Sequence, residues 1–273
     1  MRRKLLIALI LIVLTGIATY YYARAEARSD PVVRTATIRL PNWPAGVKPV
    51  RAVLISDIHI GGPAMTEARL DRIADQINRL NPDIVLLAGD YIAGRDPSGA
   101  AKFGEGLVGP LSKLHPPLGV VAVLGNHDHY TGADKVRELL SRARVTVLEN
   151  DVTARGPLAI GGVGDAYSKN ADLAGTMAKL RPFAGARIVL THSPDIAPQL
   201  PGDVSLMLAG HTHCGQVRIF GWSPGHQPYN PRYRCGLIRD PGHLVVVTAG
   251  LGTSGPSVRL GVPPDLWLLT LGP

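Results

Sequence analysis

The stretch AGHTHCGQ (Ala209–Gln216) places His211 and His213 one residue apart, adds Cys214, and directly follows the apolar run VSLML. Neutral imidazole is the commonest metal-binding side chain and a thiolate is another, so coordination of a metal ion is the natural chemistry of such a stretch. Partners recur along the chain. LISDIH supplies Asp57 and His59, LLAGD supplies Asp90, VLGNHD supplies Asn126, His127 and Asp128, and VLTH supplies His192. Each follows an aliphatic run that reads as a buried strand, and the carboxyl ends of strands in open α/β sheets are where ligands gather. Within the pairs Asp57/His59 and His211/His213, both side chains point the same way if the backbone stays extended. Gly89, Gly125 and Gly210 precede candidate ligands, which suits sharp turns and close backbone approach.

Taken singly, the fragments have ordinary readings. GD after a strand is a common turn, GNHD can close an Asx turn, and an isolated HxH can be two surface histidines. Turn chemistry does not explain the repetition, in which five aliphatic runs each end in His, Asp or Asn. His115, His129, His226 and His243 have Pro or Gly neighbours or lie in loop-like stretches and read as loop residues, although His129, following GNHD directly, is placed to touch a substrate.

The elements that must position these residues alternate. VRAVLIS (Val50–Ser56) reads as a strand, TEARLDRIADQINRL as a helix with Leu70, Ile73, Ile77 and Leu80 on one face, and DIVLLAG (Asp83–Gly89) as the next, parallel strand of a βαβ unit. A weaker helical pattern at Leu107, Leu111 and Leu114 leads to the strand GVVAVLG (Gly119–Gly125), and another carries Val136, Leu139, Leu140 and Ala143. VTVLEN, LAIGGVG, ARIVLT and VSLMLAG follow as strands, with the helical ADLAGTMAKL before the third. From Gln216 onward helical periodicity is lost, and QVRIF, HLVVVTAG and LWLLTL read as strands. The pattern predicts an α/β fold of two packed sheets with helices outside, an α/β/β/α sandwich.

The amino end stands apart. MRRK precedes LLIALILIVLTGIATYYYA (Leu5–Ala23), an uncharged run about long enough as a helix to cross ~30 Å of hydrocarbon. Residues 1–28 are therefore expected to be a membrane anchor, 29–49 a Pro-rich lead-in, and 50–273 the globular domain. Basic residues before the run outnumber those just after it, which predicts a single-pass inner-membrane protein with its globular part facing outward. A cleaved signal peptide is the alternative, because Ala23–Ala27 has small residues at cleavage spacing. The formal charge of +8 includes a net +3 before residue 28, leaving +5 on the remainder. With aromatics at 5% and basic residues scattered, nucleic-acid binding is not expected.

SDIHIG, GDY, GNHD, THSPD and GHTHCGQ together resemble, in order and approximate spacing, the five blocks of the calcineurin-like metallophosphoesterases, over about Val50 to Leu271. The wording THSPD and AGHTHxGQ is most similar to the membrane-associated YaeI and YkuE-type phosphodiesterase branch, which also contains a UDP-diacylglucosamine pyrophosphatase; that branch usually has glycine where this chain has Cys214. The resemblance implies a metallophosphatase-like fold and two divalent ions, with Mn, Fe, Zn or a mixed pair suited to oxygen and nitrogen donors. It implies that Asp57, His59 and His213 hold one ion, that Asn126, His192 and His211 hold the other, and that Asp90 bridges them. It assigns His127 to protonate a leaving oxygen, while Asp128 either orients His127 or caps the turn. The implied substrate is a phosphate ester, free or membrane-associated; a phosphodiesterase, a phosphomonoesterase, a lipid-precursor pyrophosphatase and an inactive metal-binding protein are all compatible with the residues, as is any oligomeric state. An outward orientation weighs against a cytoplasmic UDP-linked substrate.

Cys214 and Cys235 are the only cysteines and both follow the apolar run. An even pair outside the cytoplasm leans toward a disulfide, here closing a Pro- and Gly-rich loop beside His211 and His213.

Overall fold

The unbroken aliphatic runs are strands buried on both faces. The computed structural model describes residues 2–224 and 230–273, so His226 lies outside the described residues. In chain order the elements are α1 (Arg2–Glu26), β1 (Val32–Arg39), β2 (Val50–Ile55), α2 (Glu67–Arg79), β3 (Ile84–Ala88), α3 (Gly99–Phe103), α4 (Glu105–Ser112) and β4 (Val120–Val123). Then come α5 (Asn126–Thr131), α6 (Ala133–Arg142), β5 (Val145–Val147), β6 (Asp151–Arg155), β7 (Leu158–Gly162), α7 (Leu173–Leu180), β8 (Ala186–Leu190), β9 (Leu206–Ala209), β10 (Gly236–Asp240), β11 (His243–Val247) and β12 (Asp265–Gly272). They form two six-stranded sheets, ordered β1-β12-β2-β3-β4-β5 and β10-β11-β9-β8-β7-β6. β2, β3, β4 and β5 are parallel in the first, as are β11, β9, β8 and β7 in the second.

Alternation at period two divides each run between two cores. Ala52, Leu54, Ile84, Leu86, Val121 and Val123 face the second sheet and meet Leu158, Ile160, Ile188, Leu190, Leu206 and Leu208 there. Their neighbours Val53, Ile55, Val85, Leu87, Val120 and Ala122 face outward onto Leu70, Ile73 and Ile77 of α2, Leu107 and Leu111 of α4, and Val136 and Leu140 of α6. On the far side Ala159, Val189, Met207 and Val245 pack on Met177 and Leu180 of α7. This is the expected four-layer sandwich. α2 begins where Thr66 accepts the Arg69 amide at 3.2 Å, and Asp172 caps α7 by accepting from the Gly175 amide at 2.8 Å.

Three details depart from the sequence reading. The lead-in contributes a full edge strand, since β1 pairs in parallel with β12 from Val32 to Arg39. QVRIF is not a strand: it makes only the isolated bridges Val217–Leu260 and Ile219–Trp222, because Phe220 and Gly221 have φ of +50° and +85° and fold the chain into a two-residue turn. β6 and β10 add antiparallel edges to the second sheet that the sequence pattern did not single out.

Cys214 and Cys235 form a disulfide with Cα atoms 4.8 Å apart. In the chain-entropy account, closing a loop of this length contributes about 3 kcal/mol by restricting the unfolded chain. Alkylation of unreduced, denatured protein should therefore add no mass, and alkylation after reduction should add two groups; two adducts without reduction would show free thiols.

Candidate metal centre

The carboxyl ends of β2, β3 and β4 from one sheet and of β8 and β9 from the other meet in one place. Asp57 and His59 follow β2, Asp90 follows β3, Asn126 to Asp128 follow β4, His192 follows β8, and His211 and His213 follow β9. The backbone there is not extended. Asp57, His59, Asp90, His211 and His213 have φ between +48° and +70°, so a left-handed kink, and not strand alternation, turns each pair toward the centre. Such conformations cost a non-glycine residue of order 1–3 kcal/mol each and persist only where the surroundings fix them. Here the fixing bonds are visible: the Asp57 amide donates to Gly89 O at 2.9 Å, the His59 amide to Asp90 O at 3.0 Å, and the His211 amide to Asp57 Oδ2 at 3.1 Å.

Two glycines make the approach possible. A Cβ at Gly125 would overlap Asp90 Oδ1 and lie 2.7 Å from the Asp90 amide; one at Gly210 would overlap Ser56 Oγ and lie 2.7 Å from Asp57 Oδ2.

The donors form two groups. In the first, His59 Nε2 and His213 Nε2 are 3.2 Å apart, and Asp57 Oδ1 lies 3.4 Å from His213 Nε2 and 3.9 Å from His59 Nε2. In the second, His211 Nδ1 is 3.0 Å from Asn126 Oδ1 and 3.2 Å from His192 Nε2. Asp90 Oδ2 belongs to both, at 3.6 Å from His59 Nε2 and 3.2 Å from His192 Nε2. All seven residues expected as ligands are therefore together. They suit metal ions on one further observation: Asp57 Oδ1 is buried without a hydrogen-bond donor, a costly state that a cation would relieve. His192 Nδ1 lies 2.7 Å from Ala88 O, and because a carbonyl only accepts, that nitrogen carries the proton and leaves Nε2 facing Asp90.

Burial sets the charge states. It pushes the Asp57 carboxyl up to about 7, opposed by His192 and reinforced by Asp90. It lowers His59 to about 3 and His211 to about 4, and takes His213 well below the usual imidazole range, which leaves these rings as lone-pair donors at neutral pH. Asp90 and His192 go the other way: burial opposes both charges, but their mutual attraction outweighs it, holding Asp90 well below the carboxylate range and His192 well above the imidazole range.

Asp128, which the sequence left between orienting His127 and capping the turn, makes the bonds of a cap. Fully buried, its Oδ2 accepts the amides of Asp90 at 2.9 Å and Gly125 at 2.8 Å, and its Oδ1 those of Tyr91 at 2.8 Å and Ile92 at 3.3 Å. Both oxygens are committed to the backbone after β3 and β4, so Asp128 caps and joins those loops. His127 borders the centre edge-on to the His59 ring, with centroids 4.8 Å apart, and its amide donates to Asp90 Oδ1 at 2.8 Å. A cleft of about 370 Å³ opens past His59 and His127, lined also by Pro63, Phe103, Thr253 and Ser254.

Of the remaining histidines, two are not the loop residues expected: His129 lies in α5 with Nε2 3.3 Å from Glu149 Oε1, and His243 opens β11 with Nε2 3.7 Å from Asp240 Oδ2. The sequence reading missed Arg259. Fully buried, its guanidinium donates to Ala249 O at 2.6 Å and Gly252 O at 2.7 Å and comes within 3.5 Å of His213 Nδ1. It also missed Tyr167, whose ring centroid lies 4.8 Å from that of His211, and Arg95, which sits 5.1 Å over Tyr130. Nothing in GPSVRLG, DAYSK or AGRDP distinguishes these residues from ordinary loop polar groups.

Residues 50–215 match the family described as calcineurin-like phosphoesterase. A metallophosphoesterase of Aquifex aeolicus is 31% identical over 245 residues, covering 88% of this chain and 91% of that one. The metallophosphoesterase YkuE of Bacillus subtilis is 28% identical over 268 residues, covering 94% and 91%. A protein of Danio rerio named transmembrane protein with metallophosphoesterase domain is 30% identical over 287 residues, but this chain covers only 63% of its length.

Gly125→Ala should displace Asp90 and lose most of the bound metal, read by elemental analysis, with the far-ultraviolet circular dichroism unchanged. Full metal occupancy in this variant would show that the close approach is dispensable.

Proposed function

The chain belongs to the calcineurin-like phosphoesterase family, and from that premise we propose that it is a dinuclear metal-dependent phosphodiesterase acting on a phosphodiester or pyrophosphate at a membrane surface. The observation that carries the reading is the shared position of the buried Asp90 carboxylate between two groups of nitrogen and oxygen donors. Asp57, His59 and His213 would hold one divalent ion, Asn126, His192 and His211 the other, and Asp90 both; Mn, Fe and Zn suit these donors. Such a pair of cations supplies Lewis-acid charge to phosphoryl oxygens and a nucleophile usable at neutral pH.

The side chains do the rest. His127 Nδ1 lies 2.5 Å from Gly94 O, so Nδ1 carries a proton and fixes the ring, leaving Nε2 to hold a second proton for a leaving oxygen. Asp128, through its four amide bonds, holds the Asp90 and Asn126 loops in register. The cleft of about 370 Å³ beyond His59 and His127 gives room for a substituent of a phosphate ester.

The membrane part of the reading rests on α1, a 25-residue helix with mean hydropathy 2.2 over its most apolar window. Its side chains from Leu5 to Tyr22 stand out from the protein, with Leu9 58% and Ile12 69% exposed, which suits a lipid surround and not a core. The relative named as a transmembrane protein agrees with this. Arg2, Arg3 and Lys4 in the first turn of the helix, ahead of its apolar run, favour an inner-membrane anchor with an outward catalytic domain, and the Cys214–Cys235 bridge suits an oxidising side.

Asp90→Ala should abolish both metal loading and hydrolysis of an aryl phosphodiester. His127→Ala should keep its metal and lose about 10²–10⁴-fold in rate, the usual worth of general acid catalysis. A metal-replete, active Asp90→Ala would overturn the site assignment, and hydrolysis of the aryl monoester alone would make the enzyme a phosphomonoesterase. Carboxyl-terminal reporter fusions test topology: an active alkaline phosphatase and a dark green fluorescent protein are expected, and the opposite pair would place the domain in the cytoplasm.

A further inference from the structure

The loop closed by the Cys214–Cys235 bridge carries, among the described residues, the most exposed aromatic side chains outside α1. Ile219 is 43%, Phe220 105% and Trp222 66% exposed. They sit on a two-residue turn closed by Ile219 N to Trp222 O at 2.8 Å and Trp222 N to Ile219 O at 3.0 Å. Its central residues, Phe220 and Gly221, both have positive φ, a turn type in which the first central position is normally Asn, Asp or Gly. Phe220 thus occupies a backbone conformation unfavourable to it and buries nothing in the protein. Water gives no return for either feature.

The base of this turn is tied to the end of α1. The Arg218 amide donates to Leu260 O at 2.7 Å and the Leu260 amide to Gln216 O at 3.1 Å, while the adjacent Arg259 amide donates to Ala23 O at 2.9 Å. Ala23 and Ala27 are buried against the globular part, and Arg28 Nε donates to Pro63 O at 3.2 Å, at the lining of the cleft. Phe220 is two residues from Arg218 and so reaches no more than about 7 Å beyond it. Turn, helix end and cleft lining therefore belong to one face. Arg24 and exposed Arg218 add positive charge there, and among the described residues neither pairs with a carboxylate.

We propose that the Ile219–Trp222 turn is a second membrane contact, inserting Phe220 and Trp222 into the headgroup layer of the bilayer that α1 enters, and that it holds the cleft against that layer. The occupant is a phospholipid surface carrying anionic headgroups: aromatic rings partition to this layer, and Arg24 and Arg218 complement its charge. The inference rests on the reading of α1 as an anchor. It deepens the proposed function by making the substrate a phosphodiester borne by a lipid, presented from the interface.

The test uses the full chain in vesicles of phosphatidylcholine and phosphatidylglycerol, with and without acyl chains brominated near the headgroup. Bromine should quench part of the tryptophan emission, and Trp222→Phe should lose that part, since of the other two tryptophans Trp267 is buried in the inter-sheet core and Trp43 packs partly buried against it. Phe220→Asp should lower hydrolysis of a vesicle-borne lipid phosphodiester several-fold and leave a soluble aryl phosphodiester unaffected. Equal quenching in native protein and Trp222→Phe, or an equal loss on both substrates, overturns the inference. Trp222 emission that ignores bromine but shifts with protein density would assign the turn to a second copy of the chain instead, again overturning it. Alkaline carbonate extraction separates the two levels: protein released to the supernatant refutes the anchor itself, whereas pelleted protein without a bromine response refutes only the turn.

Discussion

Asp90 lies between His59 and His192 at 3.6 and 3.2 Å, wholly enclosed, and the rest of the architecture can be read as what is needed to keep that carboxylate charged and correctly aimed. A buried carboxylate is tolerated only with charge or hydrogen bonds around it. His192 Nε2 faces it at 3.2 Å on one side, and the His127 amide at 2.8 Å supplies a hydrogen bond on another. That arrangement requires β3, β4 and β8 to end at the same height, a geometry that two packed parallel arrays provide and a single sheet does not. It also requires side-chain-free backbone at Gly125, because the Asp90 carboxylate occupies the space a Cβ would take.

Local stability is given up to make this possible. Five ligand positions in left-handed backbone, two carboxylates and four imidazoles in one desolvated volume all oppose folding. What offsets them is ordinary packing elsewhere: an inter-sheet layer of Ile, Leu and Val from both sheets and helices laid on the two outer faces. Asp128 belongs to the same account, since its carboxylate joins the loops after β3 and β4 as a covalent link would.

Much of this was legible in the residues, and the failures have physical causes. The strand-end positions of Asp57, Asp90, Asn126, His192 and His211 followed from aliphatic runs and what ended them, because doubly buried strands leave a strong compositional mark. β1, β6 and β10 were missed because edge strands bury one face at most and carry polar residues, so VVRTATIR and DVTAR lack that mark. The i, i+2 pairs were expected together for the wrong geometric reason: their convergence depends on positive φ, which is conferred by tertiary hydrogen bonds and has no signal in Asp or His. QVRIF has strand composition, and the turn within it is decided at Phe220, a residue that seldom takes that conformation. Arg259 was invisible because a single arginine in a Gly- and Pro-rich stretch looks solvated, and only the fold buries it under His213.

The junction between α1 and β1 has a kinetic meaning. Only residues 27–31 separate the helix from the sheet, and they are pinned by Arg69 Nη2 to Ser29 O at 2.7 Å and by Gln76 Nε2 to Pro31 O at 2.9 Å. There is no slack to let the catalytic unit swing. On the proposed reading, with α1 in a bilayer and the substrate borne by a lipid, the cleft would sweep a plane at fixed height and encounters would occur by lateral diffusion in two dimensions. The rate would then follow the mole fraction of substrate in the surface, not its amount per volume, and inert lipid or detergent would slow turnover by dilution without touching the site.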